Sequence, residues 1–443
     1  MLVLSRFTYV GRATANKKFN GSEYPPHIAV PSTSFRGIVT AKEKITMANQ
    51  FTNNKKVKLV AGAIADAMDY TKASVSKMSQ SEFKGKKFGK SYTVYIPTTG
   101  KVVEGTEAEP TDVTEIPTVI DLSNFNVSVE LGAWNTIADI ENFRDEIALP
   151  FGNQLARTEE KKIVERNVYK SLQSVVAASA GFGVLSQSAA ALRQLAVGGE
   201  IVSFMNPDVA AAVSASGLAN FIPSEIQKRI YSDNYLGQYA GAAQIETPDL
   251  PTLTTPNPMP AATIDLGNAV TDSDSNALGF NVVDHISGSG LKAGLVYKAT
   301  GLKVVDANGI QTDQDVSIIV LSVSGDKAYI SPLRITIDGK GFGNPNAWVA
   351  TGTTTLSLTA ALDGNSTYYV GQVRTKDCFA FDAYRFEDLP GSDNEEVAVV
   401  GGHSVKMSEY GEGKTLNKLV RLDAPYAAGI FEPRSSVTVF IKK

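Results

Sequence analysis

The clearest pattern along the chain lies between Lys87 and Ala178, where extended, alternating segments give way to a long helical stripe. Tyr92, Val94 and Ile96 alternate with Thr93 and Tyr95 until Pro97 stops the run, and Val119, Leu122, Phe125, Val127 and Val129 supply a returning strand. Between them, Gly100 to Pro117 carries two glycines and two prolines with Glu104, Glu107, Glu109, Asp112 and Glu115. With so little apolar surface to bury, this acidic ribbon needs another surface to lie on.

The helical pattern follows. Asn135 and Thr136 fit an N-cap, and Asp139 and Glu141 suit the positive end of the helix dipole. Ile140, Phe143 and Ile147 share one face until Pro150 kinks or restarts the helix. Beyond it Phe151, Leu155, Ile163, Val168, Leu172 and Val175 form the apolar stripe, which leaves Arg157, Glu159, Glu160, Lys161, Lys162, Glu165 and Arg166 for the other faces. About twenty-eight helical residues are expected, roughly 42 Å at about 1.5 Å per residue, long enough for a spine.

Upstream, Lys56 to Met78 reads as a helix with Val57, Val60, Ala61, Ile64, Ala67 and Met68 on one side and Asp66 and Asp69 exposed. Downstream, Gly181 and Gly183 break the spine. A short alanine-rich helix is expected over 186–195, a buried strand over 200–206, and a further helix started by Pro207, which together indicate α+β organisation. Pro248, Pro251, Pro256, Pro258 and Pro260 then mark a domain crossing. From Thr263 to about Pro345 the pattern is all β, a compact barrel or sandwich that reads as an insertion. Strands resume near Thr353–Leu358, Thr367–Val373, Phe379–Phe386, Val397–Val400, Leu419–Leu422 and Val437–Ile441.

Composition narrows the function classes. The 443 residues allow two or three domains, and 42 basic against 46 acidic side chains do not suggest a general nucleic-acid or membrane binder. Cys378 is the single cysteine, so an intramolecular disulfide framework is excluded and a reducing cytoplasm fits. The start of the chain lacks the pattern of a secretory signal. Residues 1–46 stand apart, with seven Lys or Arg against Glu23 and Glu43, and read as a poorly ordered extension upstream of Met47; a basic arm touching nucleic acid is the rival reading.

No catalytic template is complete. His27, His285 and His403 are far apart and read as surface or satisfied histidines, and Cys378 as a thiol at a strand border. Gly411-Glu412-Gly413-Lys414-Thr415 has Ser408 where a phosphate loop needs its first glycine, and Gly339 to Gly343 precedes no helix. Asp272 to Asn276 starts like a calcium loop, but Ala277 and Val283 occupy the places that need Gly and Glu. The acidic stretch 388–396 reads as a solvated loop. The balance favours a structural protein with no enzymatic site, cofactor or metal.

The order of parts resembles the major capsid protein of tailed double-stranded-DNA bacteriophages, with the Hong Kong 97-type coat fold. It is most similar to the short-tailed Salmonella phage branch, which carries an insertion domain. Tyr92 to Pro97 with 100–121 and 122–131 resembles that family's extended loop, Arg144-Asp145-Glu146 through Val176 its spine, Ser203 to Asp208 the passage after the spine, Val283 to Pro332 the inserted barrel, and Leu419 to Phe431 with Glu432-Pro433-Arg434 the closing strands. The resemblance implies an α+β fold divided as 1–46 extension, 47–86 N-terminal arm, 87–130 extended β-ribbon loop, 131–180 spine helix, 181–255 first axial part, 256–345 inserted β-barrel and 346–443 second axial part with returning strands. It implies hexamers and pentamers closing an icosahedral shell in the host cytoplasm, with a scaffolding protein and a portal as partners, packaged double-stranded DNA bound without sequence preference, and no membrane. It places Lys101, Glu104, Glu107 and Glu109 near the ribbon tip, where they pair across a subunit boundary, and Asp66 and Asp69 where the scaffold is met. The alternative class is a secreted or surface β-rich binding protein.

Overall fold

The computed structural model describes residues 41–77, 90–97, 115–131, 143–215, 235–239, 241–267, 280–338, 345–384, 394–411 and 418–443. Residues Met1–Met47 and Ala48–Lys443 are separate units, and every described sheet belongs to the second. Helix α1 (Ala41–Ala67) and a 3-10 turn (Tyr70–Lys72) lead to β1 (Ser91–Pro97) and β2 (Glu115–Leu131). A π-helical turn (Arg144–Ala148) opens α2 (Leu149–Asn167), followed by β3 (Gln173–Ala177), α3 (Phe182–Arg193), β4 (Ile201–Met205), α4 (Pro207–Ala215), β5 (Tyr235–Tyr239), β6 (Ala242–Glu246) and β7 (Thr252–Thr254). Then come β8 (Ala262–Asp265), β9 (Asn281–Ser287), β10 (Val296–Val305), β11 (Gln311–Ser324), β12 (Lys327–Ile337), β13 (Ala347–Val349) and β14 (Thr355–Ala360). The chain closes with β15 (Thr367–Thr375), β16 (Phe379–Ala383), β17 (Asn394–Val400), β18 (His403–Gly411), β19 (Lys418–Ile430) and β20 (Ser436–Lys442).

These strands make three sheets. The first runs β1-β2-β19-β18-β17 with β16 on β19, and the second runs β3-β20-β15-β4-β6-β5 with β7 on β15. The third closes on itself: β10, β11, β12, β9, β8 and β14 pair in a ring, and β13 bridges β10 and β12. This six-stranded barrel, filled by Ile264, Leu295, Leu302, Val304, Val316 and Ala328, uses up its own edges.

The structure corrects four boundaries. The arm helix stops at Ala67 rather than near Met78, because side chains from distant elements take the backbone groups of the following turn: Tyr70 N–H donates to the Glu160 carboxyl, and the Arg374 guanidinium donates to the carbonyls of Tyr70 and Ala73. Residues 41–46, expected to lack order, are helical. The spine stops at Asn167, where the carbonyls of Asn167 and Val168 are capped by the Gln372 amide and the Thr438 hydroxyl. The β-branched Val175 and Val176 that seemed to extend it belong to β3, parallel to β20. Finally, the strand expected to resume the axial region near Thr353 is β14, which pairs with β8 and β10 and completes the barrel.

Pro150 is the second residue of α2, directly after the π-turn; Phe143, Ala148 and Leu149 all keep helical φ and ψ, so the helix runs through the proline and changes from π to α spacing there. Gly152 allows α1 to cross α2 closely, since a Cβ at that position would lie 2.9 Å from that of Ala63.

Candidate functional site

The ribbon root is the first of two candidate features. Antiparallel register from Ser91↔Asp121 to Pro97↔Glu115 puts Val94, Ile116 and Ile120 on one face and Tyr95, Pro117 and Val119 on the other. From Leu122 onward β2 pairs with β19 instead, so residues 115–121 hold only β1. The inner face is covered by the chain itself: Val94 and Ile120 pack with Ala380, Ala427 and Phe431, and Ile116 with Ile96 packs on Phe280 and Val282 beside the barrel. The ribbon is thus better supported by its own body than its composition suggests. On the outer face Tyr95 is 59% and Val119 62% exposed, with exposed Pro117 directly opposite Tyr95.

The second feature is a polar seam under α1 and α2. Arg374 of β15 is fully buried, with its guanidinium 4.0 Å from the ring centres of Tyr70 and Phe379 and 4.6 Å from that of Phe204. It donates to Tyr70 O (2.8 Å) and Ala73 O (3.0 Å). The Tyr70 hydroxyl donates to Gln372, whose amide reaches Asn167 O, and the Asn167 side-chain oxygen accepts from Ile430 N–H at 3.1 Å. Burial drives the Tyr70 phenol up to about 12 against the pull of Arg374. The turn after α1, the end of α2, β15 and β19 are thereby tied by one network.

The apolar stripe leaves Glu159 and Glu160 to the other faces of the helix, yet the structure buries both, at 2% and 0% exposure. The spacing explains it, because Leu155, Glu159 and Ile163, and likewise Ala156, Glu160 and Val164, lie four residues apart on the packed face. Glu160 accepts from Tyr70 N–H, and its other oxygen lies 3.8 Å from Arg157, which also pairs with Asp249 at 3.0 Å. Burial pushes its carboxyl up to about 8, partly offset by the Tyr70 N–H. Glu159 faces a void lined by Ile64, Phe381, His403, Ser404 and Tyr426, and burial with the neighbouring Glu160 drives its carboxyl well above the ordinary range. Its Oε2 and Ser404 Oγ make no hydrogen bond to protein, the Tyr426 hydroxyl interacts with the Ser123 side chain, and the void is too narrow for a water.

The remaining sequence candidates fall into place around these features. His403 is buried against the Phe381 ring, 3.5 Å from Thr71 Oγ1, and burial pulls its imidazole down to about 4. His285 bonds Asp284 at 2.7 Å, outside the seam. Cys378 is buried with its thiol on Thr375 O, pushed up to about 12 by burial, an inert strand-border position. Glu395, assigned to a solvated loop, instead lies in β17 against buried Lys406 at 2.9 Å. Asp66 is exposed, whereas Asp69 pairs with Lys72 at 2.7 Å. Lys101, Glu104, Glu107 and Glu109, the N-cap candidates Asn135 and Thr136, His27, and the phosphate- and calcium-like stretches 412–415, 339–343 and 272–276 lie outside the described residues. Among the described residues no group of three or more His, Cys, Asp or Glu could hold a metal ion, and no helix is long and apolar enough to cross a membrane.

No family model and no curated protein matches this chain. Among solved structures it is similar to the capsid of Ralstonia phage GP4 (6% identity over 81% of this chain and 85% of that one, TM-score 0.42). It is also similar to the capsid of cyanophage P-SCSP1u (10%, 84% and 88%, TM-score 0.40) and a virus-like particle from Pyrococcus furiosus (9%, 87% and 97%, TM-score 0.37). These likenesses are remote in sequence and partial in shape, so the functional reading rests on the chain's own residues.

Proposed function

We propose that this chain is the major subunit of an icosahedral phage shell of the Hong Kong 97 type, in the short-tailed Salmonella phage branch. In this reading residues 47–86 are the arm, 87–130 the extended loop, α2 the spine, and the barrel an insertion between two axial parts. Copies assemble in the host cytoplasm as hexamers and pentamers, guided by a scaffolding protein and joined by a portal, into a virion that encloses double-stranded DNA. The role is structural rather than enzymatic.

The observation that carries the reading is the ribbon root, a two-stranded hairpin whose inner face is satisfied within the chain while Tyr95, Pro117 and Val119 face solvent. An exposed apolar stripe at the base of a long acidic segment suits a surface completed by another copy. Weak contacts repeated around each subunit then give a stable particle through multivalency. Lys101, Glu104, Glu107 and Glu109 pair across that boundary, and Asp66 and Asp69 offer acidic contacts to basic scaffold residues. A net charge of −4 suits a container wall past which DNA must move.

Negative-stain microscopy of the chain, expressed with and without its scaffolding partner, tests the reading. Closed shells or sheets with hexagonal order are expected, and Tyr95→Ser combined with Val119→Ser is expected to leave a folded monomer that forms none. Strictly monomeric wild-type protein under both conditions would favour the surface-binding class, and normal shells from the double variant would remove the ribbon from the assembly contact.

A further inference from the structure

Tyr92 shares the inner face of the ribbon root with Val94 and Ile96, and its hydroxyl donates to the Asp382 carboxyl of β16 at 2.8 Å. The same carboxyl, on a residue only 5% exposed, accepts from Ser76 Oγ at 2.5 Å and from the Lys77 N–H at 3.1 Å. Residues 74–77 trail α1 and lie along the edge of β16 that β19 leaves open. There the Val75 N–H donates to Phe379 O at 3.0 Å, and the Val75 carbonyl accepts from the Phe381 N–H at 3.1 Å. Val75 also packs into the cluster of Val94, Ile120, Ala380, Ala427 and Phe431 on which the ribbon root rests, and the Lys77 ammonium lies 5.0 Å from the Phe431 ring centre.

The ribbon therefore shares one polar anchor with the segment behind α1. A carboxylate taken out of water must keep its donors, and hydrogen bonds to a charged group are about twice as strong as neutral ones. Burial and the Asp382 charge raise the Tyr92 phenol, which keeps it a donor. Residues 115–121 pair with β1 alone, so the direction of the hairpin is decided by its inner-face contacts. The apolar ones, Val94 and Ile120, tolerate sliding, whereas the Tyr92 bond holds at one place. Tyr92 stands near the base, and Pro97 is about 17 Å further along at about 3.4 Å per residue, so a small rotation at the anchor becomes a large displacement of the outer stripe.

We propose that Asp382 is the positioning residue of the ribbon: it sets the angle at which the hairpin leaves the body and makes that angle depend on how residues 74–77 are seated against β16. A partner that draws this segment off β16 removes Ser76 and the Lys77 N–H from the carboxyl and loosens Tyr92. Contact behind α1 is then felt at Tyr95 and Val119. This coupling stands on the fold alone and is independent of the shell reading.

Hydrogen–deuterium exchange of the full chain with Ser76→Ala, Tyr92→Phe and both together tests the coupling. The two side chains share the carboxyl and, among the described residues, no bond with each other. Ser76→Ala is expected to speed exchange in 91–97 and 115–121, and Tyr92→Phe in 74–77, each by about three- to tenfold, the span of one hydrogen bond. The double variant should fall short of the product of the two, because both act through one group, and the barrel strands should not change. Asp382→Asn should loosen both segments at once. Effects confined to the mutated side, factors that simply multiply, or a uniform rise that includes the barrel would overturn the assignment. Spin-label distances between Tyr95→Cys and Ile310→Cys, both at exposed positions, read the ribbon angle itself. A distribution that broadens on adding Ser76→Ala supports the positioning role, and an unchanged one refutes it.

Discussion

The barrel and the seam solve the problem of a core in opposite ways. Within 262–360 the strands close a ring whose interior is aliphatic, and each strand finds its partners within about a hundred residues. The seam instead buries Arg374, Glu159 and Glu160, all at 2% exposure or less, and its bonds join residues 302 and 304 positions apart. Apolar surface packs with any apolar neighbour of suitable volume, but a buried guanidinium accepts only the arrangement that presents its acceptors. The barrel is therefore specified by pattern, and the seam by partners: the polar network fixes which segment of the arm lies on which strand.

The sharpest way to break this contrast is to remove one partner. Arg374→Ala leaves the carbonyls of Tyr70 and Ala73 without their donor and opens a cavity among Tyr70, Phe204 and Phe379. A loss of about 3–5 kcal/mol is expected in denaturant unfolding. Arg374→Met, which fills the space without the charge, should lose less of the packing but still loosen the Tyr70–Ala73 turn, seen as faster amide exchange there. In the barrel Leu302→Ala, also fully buried, should cost about 2–5 kcal/mol through its cavity alone. Calorimetry separates the two: the barrel variant is expected to lower one transition and the Arg374 variants another. A single transition moved equally by both would show that the regions unfold as one.

The same contrast explains what the sequence disclosed. Alternation in Tyr92–Ile96 and the 3–4 spacing of Val57, Val60, Ala61 and Ile64 follow from water exclusion, and both elements lie where periodicity puts them. Closure of the barrel by β14 depends on pairing between strands remote in sequence, so the pattern identified a strand near Thr355 and assigned it to the wrong sheet. Residue type misled more than spacing did. Glu159 and Glu160 were placed outside because they are acids, although the four-residue steps from Leu155 and Ala156 already put them inside. Arg374 gave no local warning beyond its place in the alternation with Tyr368, Val370 and Gln372; its acceptors are on an arm three hundred residues earlier.

A pH titration of stability sharpens the comparison further. Glu160 holds its proton in the folded state up to about pH 8, whereas the unfolded chain gives it up near the ordinary glutamate value, about 4.3. The folded state therefore binds more protons across that window, and stability falls as pH rises through it. His403 has the opposite sign: folding lowers its imidazole to about 4, so stability falls as pH drops below about 6.5. Glu160→Gln is expected to flatten the alkaline limb by about 1–2 kcal/mol and His403→Asn the acidic one by about 1 kcal/mol, both in urea midpoints at constant ionic strength. The isolated barrel transition should move with neither.

The smallest expected effect lies where the two regions meet. Chain segments 255–261 and 361–366 form the neck between β7 and β8 and between β14 and β15, and Thr255 holds them together: its N–H donates to Ser366 O at 2.9 Å and its hydroxyl lies 2.6 Å from Asp363 O. Tyr297 of β10, fully buried, reaches out of the barrel to donate to Pro260 O at 3.0 Å. Tyr297→Phe keeps the ring in the barrel core and removes only that bond, so the loss should be about 1 kcal/mol. Because the bond joins barrel to neck, its loss should draw the two calorimetric transitions further apart while leaving the Leu302→Ala and Arg374→Ala effects additive with it. An unchanged separation would mean that other contacts carry the coupling, such as the Thr255 bonds or the Ala307 N–H donated to Leu195 O at 2.9 Å, and Thr255→Val would then test the neck's share.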